Sequence, residues 1–432
     1  MYHSFPYSAM FSPLLIPDDN LQGIYEYPET KEVDDIYTAV KEALEKPIDT
    51  PKLEILAKNK KSALIIADDL SRKTPVKQII PIICEKLEEI GVPKIKILVA
   101  MGAQKPLTVE EKKEKFGAYI FDKYDIINHR YKDHLDLADL GYNSFGSRLY
   151  VNNHLLEADL IIGLGQITPH RIAGFSGGSE IILPGVSGAE SIAKINWDSA
   201  LLPTQKVFGV VDNPIREEMD DDAKRVNLSF IVNCIPNPQG KVCHVVAGHY
   251  KEAFREGCKL CEKVYGAHFL HKSDITVVDS FPKDQDLWQA SRALFAAEIM
   301  TKPQGAIIFV SPCHNGVSQT HKFITEYGYR SREETLADFE EGKIPTMTVA
   351  SHLVRMGRIT RDKYKCYMVH NAIPPYMVSR LGFEYVKTPQ EALNKAFFVK
   401  GNKAVVSVLK NGGETLPVHI LREHYKDKNN YF

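Results

Sequence analysis

The chain has 432 residues, of which 44% are hydrophobic, 54 are basic and 55 are acidic. This length exceeds one ordinary hydrophobic core and predicts two or three domains. The formal net charge of −1 gives no argument for nucleic acid or a membrane surface, so we expect neither partner. A small anionic substrate can still be held by a few local basic residues, and the composition leaves an oligomer open.

Cysteine usage and the N-terminal segment both indicate a cytoplasmic protein. The seven cysteines are odd in number and spread over a long chain, so we expect reduced thiols and no disulfide framework. Cys258 and Cys261 form a CxxC, but their surroundings are typical of a helix and no second pair exists, so no zinc site is expected. The first 20 residues lack the basic and apolar regions of a signal peptide.

From residue 62 onward, apolar runs alternate with segments of helical spacing. Strands are predicted over 62–67, 94–100 and 158–163, and helices over 76–90 and 108–116, the second opening with a Thr-x-x-Glu capping pattern. Strand–helix–strand units of this length favour a parallel sheet with helices on both faces.

The middle of the chain departs from this alternation. Two strands around the turn NPQG are predicted over 225–248, as a small antiparallel addition. The alternation then restarts with helices over 249–265 and 284–300 and strands over 274–279 and 306–311. Further helices are expected near 317–326, 332–341 and 347–357, and further strands over 367–370, 383–386 and 404–409. We therefore predict two α/β domains with mostly parallel sheets, residues 1–268 and 269–432, with a ligand cleft between them.

Two loops at strand ends carry candidate site residues: substrate-binding residues in the first loop and a catalytic residue in the second. Arg72 follows the first strand and can hold a carboxylate through two parallel hydrogen bonds, while Asp69 can orient it or bind a hydroxyl. Gln104 follows the next strand, can both donate and accept hydrogen bonds, and is a candidate catalytic residue. The alternative interpretation is a solvated helix cap for the first loop and an ordinary strand–helix loop for the second.

The segment 168–188 is the richest in chemistry, with five glycines in fifteen residues. Such density indicates positive φ angles or close backbone approach, and free amides there can cradle an anion. His170 is the natural proton-transfer candidate and Glu180 the carboxylate near it. Ser176, Gly177 and Gly178 are the candidate cofactor-binding residues. A structural histidine in a loop is the alternative.

A fourth segment follows a strand of the second domain. Gln289 and Arg292 are spaced i, i+3, so one helix face is expected to present both, with Arg292 as a second anion anchor; a solvated face is the alternative. The segment 212–217 is expected to be structural, as a turn and helix start.

Four segments resemble the nickel-dependent lactate racemase family in order and spacing: DDLSRKTP, PHRIAGFSGGSEIILPG, DNPIREEM and PKDQDLWQASRAL. The resemblance covers about residues 15 to 410. It implies isomerisation at C2 of a 2-hydroxy acid, with a nickel-carrying pincer nucleotide that accepts and returns a hydride and two histidines that move the hydroxyl proton. It also implies a lysine that tethers the nucleotide and a later histidine that binds the nickel.

The family's site residues are only partly present. The matching residues are Asp69, Arg72, His170, Ser176, Gly177, Gly178 and Gln289, whereas Arg292 stands where the family usually has lysine. Gln104 replaces the first catalytic histidine, and it cannot exchange protons near neutral pH. Glu180 replaces the tethering lysine, and Asn196 or Trp197 falls where the nickel histidine is expected. These replacements argue against the nickel nucleotide in this chain, and no other cofactor is indicated.

Three functions therefore remain open at the level of sequence. The first is an isomerase, a racemase or epimerase, acting on a small 2-hydroxy carboxylate. The second is a nickel-independent enzyme in which His170 and Glu180 form an acid–base pair, or Glu180 ligates a hard metal. The third is a non-catalytic paralogue that binds a carboxylate or nucleotide.

Overall fold

The computed structural model describes residues 1–421, and the chain divides into two compact units. We name the units by their order along the chain. The inner unit comprises Glu29–Ser199 and Lys206–Val264, and the outer unit comprises the flanking segments, Met1–Pro28 and the chain from Tyr265 onward, together with Ala200–Gln205. The predicted domain boundary after residue 268 assigns the N-terminal segment, residues 1–28, to the first domain. That segment belongs to the outer unit because its strand Leu21–Tyr25 pairs in parallel with Val406–Leu409.

A six-stranded sheet forms the core of the inner unit. Its strands, in spatial order, are Val242–Gly248, Leu228–Pro236, Leu160–Gln166, Ser62–Asp68, Lys94–Ala100 and Asp125–Asn128. All neighbouring pairs are parallel except the first, which is antiparallel. The predicted addition near 225–248 is thus confirmed, as the edge of the main sheet rather than a separate piece. An antiparallel pair, Leu137–Tyr142 with Arg148–Asn152, and a short one, Pro169–His170 with Gly174–Phe175, complete the strands of this unit.

The helices around this sheet begin and end where local sequence signals place them. The predicted helix Val76–Ile90 is confirmed, and it ends at Gly91, whose φ of 91° suits glycine. The capping box between Thr108 and Glu111 opens the helix Val109–Phe116, as predicted. The other helices of this part of the chain are Ile36–Glu45, Leu53–Leu56, Ala118–Lys123, His154–Glu157, Ala189–Leu201, Pro214–Arg225 and Glu252–Tyr265.

The outer unit contains a second six-stranded sheet, parallel throughout. Its strands, in spatial order, are Glu384–Val386, Lys365–Val369, Thr301–Val310, Ser273–Asp279, Val406–Leu409 and Leu21–Tyr25. The pairs Gly266–Phe269 with Leu416–His419 and Tyr2–His3 with Leu14–Leu15 lie outside it. The fold class, α/β with mostly parallel sheets, is therefore confirmed for both units.

One predicted helix of the outer unit is broken. The span 284–300 contains two helices, Leu287–Ala290 and Arg292–Met300. The Ser291 hydroxyl donates to the Trp288 carbonyl at 2.8 Å. In an uninterrupted helix, that carbonyl accepts a hydrogen bond from the amide of residue 292. The remaining helices are Phe323–Tyr327, Arg332–Glu340, Met347–Gly357, Pro375–Arg380 and Pro389–Lys400. None of the described helices is long and apolar enough to cross a membrane.

Candidate active site of the inner unit

The loop after the central strand is held from behind by a buried lysine. Lys115 Nζ donates to Asp68 Oδ1 at 3.0 Å, to the Asp69 carbonyl at 2.7 Å and to the Arg72 carbonyl at 3.3 Å. Burial raises the pKa of Asp68, against the opposing effect of the Lys115 charge and the Thr74 hydroxyl. The loop is thereby fixed at the carboxyl end of its strand, where open parallel sheets place ligands.

The two predicted binding residues of this loop have different surroundings. The Asp69 carboxylate is buried and accepts hydrogen bonds from the Ser71 amide, at 3.0 Å, and from the Ser71 hydroxyl. Asp69 therefore closes the turn and shapes the loop. The Arg72 side chain is one-third exposed, and its guanidinium Nη2 lies 3.9 Å from Glu180 Oε1. Arg72 thus makes only a long ion pair with Glu180, and solvent reaches its side chain.

The glycine-rich loop is packed too closely for side chains. Gly177 has a φ of +88°, and a Cβ there would lie 2.8 Å from the Gln166 carbonyl oxygen. At Gly178 a Cβ would lie 2.8 Å from the Phe254 ring. The high glycine density thus reflects both positive φ angles and close packing, as the sequence predicts.

The amides of this loop are used by the protein itself. The Ser176 amide donates to the Thr168 carbonyl at 2.9 Å, the Gly177 amide to Glu180 Oε2 at 3.0 Å and the Gly178 amide to Asn233 Oδ1 at 2.9 Å. The expectation that free amides here cradle an external anion is therefore wrong for these three positions. Glu180 supplies the anion from within the loop.

Arg216 anchors the loop from below, a role that the sequence did not reveal. Its side chain is 1% exposed, and it donates to the Gly177 carbonyl at 2.9 Å, to Ser179 Oγ at 3.1 Å and to the Phe175 carbonyl. The guanidinium also lies 4.0 Å from the centre of the Phe254 ring. The segment 212–217 is structural, as expected, but what it holds in place is the candidate site.

Glu180 and His170 are brought together across this loop. His170 Nδ1 lies 3.6 Å from Glu180 Oε1 and 3.4 Å from the Ala173 amide nitrogen. The amide can donate only to an unprotonated Nδ1, whereas the carboxylate contact strengthens when Nδ1 carries a proton. Burial opposes ionisation of Glu180, but the charges of His170, Arg72 and Arg216 and the Gly177 amide outweigh it, so the pKa of Glu180 is lowered. Glu180 is thus an anion that faces the side chains of Arg72 and His170.

A cavity of about 200 Å³ opens beside this cluster, wholly within the inner unit. Six predicted site residues line it: Asp69, Arg72, Gln104, Ser176, Gly177 and Glu180. Gln166 and Asn233, which the sequence interpretation missed, line it as well; Gln166 ends its strand, and Asn233 lies within the neighbouring strand Leu228–Pro236. The volume lies below the roughly 300–1,000 Å³ of sites for drug-sized ligands, so the cavity suits a small molecule.

The remaining two predicted binding residues belong to the outer unit. Gln289 lies in the helix Leu287–Ala290, and Arg292 is exposed at the start of the next helix. The helix that was predicted to carry both residues is divided between them, at Ser291.

The residues at the family's cofactor positions are not suited to a nickel nucleotide. Asn196 Nδ2 donates to the Ile192 carbonyl at 2.9 Å, and neither Asn196 nor Trp197 offers an imidazole. Within residues 1–421, no group of three or more His, Cys, Asp or Glu side chains is placed to bind a metal ion. Cys258 and Cys261 are buried cysteines outside any disulfide, in the helix Glu252–Tyr265.

Comparison with known proteins gives one consistent family. The profile of the lactate racemase N-terminal domain matches residues 7–201, and that of the lactate racemase C-terminal domain matches residues 270–416. The chain is 28% identical to the lactate racemase of Thermoanaerobacterium thermosaccharolyticum over 428 residues, covering 94% of this chain and 97% of that protein. It is also 28% identical to the lactate racemase of Lactiplantibacillus plantarum over 389 residues, covering 86% and 89%.

Two solved structures are similar to this one. The lactate racemase apoprotein from T. thermosaccharolyticum gives a TM-score of 0.85 at 26% identity, covering 97% of this chain and all of that chain. A Thermotoga maritima protein gives a TM-score of 0.66 at 20% identity, covering 90% and 100%, and indicates the fold alone.

Proposed function

Because this chain belongs to the lactate racemase family, we propose that it is an isomerase, a racemase or epimerase, acting on a small 2-hydroxy carboxylate. One observation carries the proposal beyond the family name. Arg72 and His170 both face Glu180 Oε1, at 3.9 and 3.6 Å, beside a small cavity at the carboxyl ends of the central strands. This arrangement joins an anion-binding cation to a proton-transfer group, and an isomerase of a hydroxy acid uses both kinds of group.

Several residues in and around the cavity have roles that their contacts support. Arg72 binds the carboxylate of the ligand, since its guanidinium is partly exposed and only distantly paired with Glu180. Gln104 is exposed at the cavity and binds the C2 hydroxyl through its amide. His170 moves the proton. Asp69 and Lys115 hold the loop of Arg72 in place.

The nickel nucleotide implied by the family does not fit these residues. Glu180 cannot form the link that a lysine amine forms, and no described residue lining the cavity is lysine or cysteine. Lys115, behind the cavity, is already bonded to three oxygen atoms. We therefore derive no step through that cofactor. None of the seven cysteines, all of which lie in the described part of the chain, is in a disulfide, which supports our placement of the protein in the cytoplasm.

The test is conversion of single enantiomers. Protein purified from cells that also make the nickel nucleotide is incubated with pure D- or L-forms of lactate, longer 2-hydroxy acids and sugar acids. Chiral chromatography then measures the product ratio. We expect conversion of at least one acid, and we expect Arg72→Ala to lower kcat/KM about 10- to 150-fold, as the loss of a charge-assisted hydrogen bond worth roughly 1.5–3 kcal/mol implies.

Matched controls come from an exposed part of the same unit. Arg148 pairs with Asp139 at the surface, and His154 pairs with Glu157, so Arg148→Ala and His154→Ala should leave conversion unchanged while His170→Ala abolishes it. Conversion that survives His170→Ala, or no conversion of any acid by the unaltered protein, rejects the proposed function. Binding of an acid without conversion favours a non-catalytic paralogue.

A further inference from the structure

A groove lies next to the cavity, also wholly within the inner unit. Its volume is about 580 Å³, and it is lined by Gln104, Pro106 and residues 129–135. This volume falls within the roughly 300–1,000 Å³ of sites for drug-sized ligands, whereas the cavity of about 200 Å³ does not. Gln104 lines both spaces, so they are neighbours across its side chain.

A single loop borders the cavity on one side and the groove on the other. Residues 101–104 line the cavity, and Gln104 and Pro106 line the groove. This loop follows the strand Lys94–Ala100, and residues 129–135 follow the strand Asp125–Asn128, which pairs with it in parallel. The groove therefore lies at the same carboxyl edge of the sheet as the cavity, where open parallel sheets bind ligands.

Backbone hydrogen bonds fix both walls of the groove to the segment that follows the glycine-rich loop. The Gly102 amide donates to the Gly185 carbonyl at 2.9 Å, and the Ala189 amide donates to the Tyr131 carbonyl at 2.9 Å. The groove and the cavity are thus held by one set of contacts. A ligand that spans both meets preformed walls, which lowers the entropic cost of binding.

His129 is part of this support and not a group for a ligand. It is 1% exposed, and its Nε2 donates to the Ser187 carbonyl at 2.9 Å. Its Nδ1 accepts from Asn152 Nδ2 at 3.2 Å, so the ring is neutral. Burial lowers the pKa of His129, in keeping with the neutral form.

Lys132 carries the uncompensated positive charge of the groove. The Arg130 guanidinium lies 3.0 Å from Asp133 Oδ2 and donates twice to the Asp136 carboxylate, at 2.6 and 2.9 Å, so two carboxylates balance its charge. Lys132, by contrast, is exposed and forms no ion pair with any residue among 1–421. Its Nζ lies 5.3 Å from the centre of the Tyr131 ring.

The rest of the groove surface is mainly apolar. Pro106, Tyr131 and Leu135 supply it, and Leu135 is 88% exposed. A carbon chain that covers these side chains removes apolar surface from water, which favours binding. The groove thus combines an apolar wall with one cation, and the matching ligand is a carbon chain that carries a negative charge.

We propose that the substrate is a 2-hydroxy acid longer than lactate that ends in a second anionic group, a carboxylate or a phosphate. Its first carboxylate and its hydroxyl lie in the cavity with Arg72 and Gln104, its carbon chain lies along the groove, and Lys132 binds the distal anion. Lys132 therefore determines specificity and takes no part in the chemistry. This inference rests on the proposed function, which places a 2-hydroxy carboxylate in the cavity.

The experiment compares two acids of equal length, 2-hydroxyhexanoate and 2-hydroxyhexanedioate, which differ only in the distal carboxylate. Calorimetry measures Kd for single enantiomers of both. We expect the diacid to bind about 2- to 5-fold more tightly, the range for an ion pair that solvent reaches, and the preference to shrink at high salt. Lys132→Met should abolish the preference and Lys132→Glu should reverse it. Lys58→Met and Lys58→Glu are the matched controls and should leave it unchanged, because Lys58 is exposed and precedes the strand Ser62–Asp68, at the opposite edge of the sheet.

A third acid of the same length, ending in a phosphate, distinguishes the two distal groups. A preference for this acid alone assigns a phosphate, and a preference for the diacid as well shows that a carboxylate is sufficient. Equal affinities for all three acids, no measurable binding of any of them, or a preference that survives Lys132→Glu overturns the inference, whereas conversion of lactate still supports the isomerase. A preference that depends on Lys132, without conversion of any acid, supports the distal site and rejects the isomerase.

Discussion

Arg216→Ala tests whether the buried guanidinium holds the candidate site together. The substitution removes the donors to the Phe175 and Gly177 carbonyls and to Ser179 Oγ, and it removes the positive charge that most opposes the effect of burial on the pKa of Asp220. Removal of one partner from a buried charged network typically costs about 3–5 kcal/mol. For a unit the size of the inner one, each kcal/mol lowers Tm by roughly 2–4 °C, so we expect a fall of about 6–20 °C.

The assay must report on the inner unit alone, because a chain with two units need not unfold in one step. The protein has two tryptophans, and Trp197 is the one in the inner unit. In a Trp288→Phe background, tryptophan fluorescence therefore follows unfolding of that unit by heat or urea. Arg148→Ala, at a surface ion pair, is the matched control and should cost less than about 1 kcal/mol. If the unfolding free energy of Arg216→Ala lies within about 1 kcal/mol of that of Arg148→Ala, the stability of the loop does not depend on Arg216 and the reasoning fails.

Three further predictions concern a glycine, a carboxylate and the thiols. Gly177→Ala should destabilise the inner unit by about 1–3 kcal/mol, and by more than Gly146→Ala. Both glycines have positive φ, but only at Gly177 of the two would the added Cβ lie 2.8 Å from a carbonyl oxygen, that of Gln166. Equal losses of unfolding free energy in urea would contradict the packing argument. Burial, with the nearby Glu218 charge, raises the pKa of Asp222 to about 7, above its unfolded value, so the folded state binds the extra proton. The unaltered protein should lose stability relative to Asp222→Asn as pH rises from about 4 to about 7, and parallel stability curves would refute this. Burial also raises the pKa of five thiols, those of Cys84, Cys234, Cys258, Cys313 and Cys366. A disulfide reagent should therefore modify these cysteines slowly in the native protein and readily in urea. Fast labelling of the native protein at these cysteines would contradict their burial.

Local sequence signals were sufficient for most of the fold. The helix Val76–Ile90 and the strand Lys94–Ala100 have the predicted bounds, because apolar periodicity and a following glycine act over a few residues. The interrupted helix at Ser291 was missed, since the bond from its hydroxyl to the Trp288 carbonyl competes with a helix that the periodicity alone favours. Membership of the strand Leu21–Tyr25 in the outer unit was missed because its partner lies almost 400 residues away in the chain, a pairing that no local pattern encodes.

The sequence by itself determined the family, the α/β class and the residues that can carry chemistry, because motif identity and spacing are properties of the chain. It also showed that Glu180 stands where a lysine is expected. Only the tertiary structure decided what Glu180 does: it brings the carboxylate to His170 and Arg72, and it places Arg216, 36 positions further along, beneath the same loop. Those contacts depend on three-dimensional packing between segments that are far apart in sequence. For that reason, only the folded chain shows that the Gly177 and Gly178 amides are not available to a ligand, because they donate to Glu180 and Asn233.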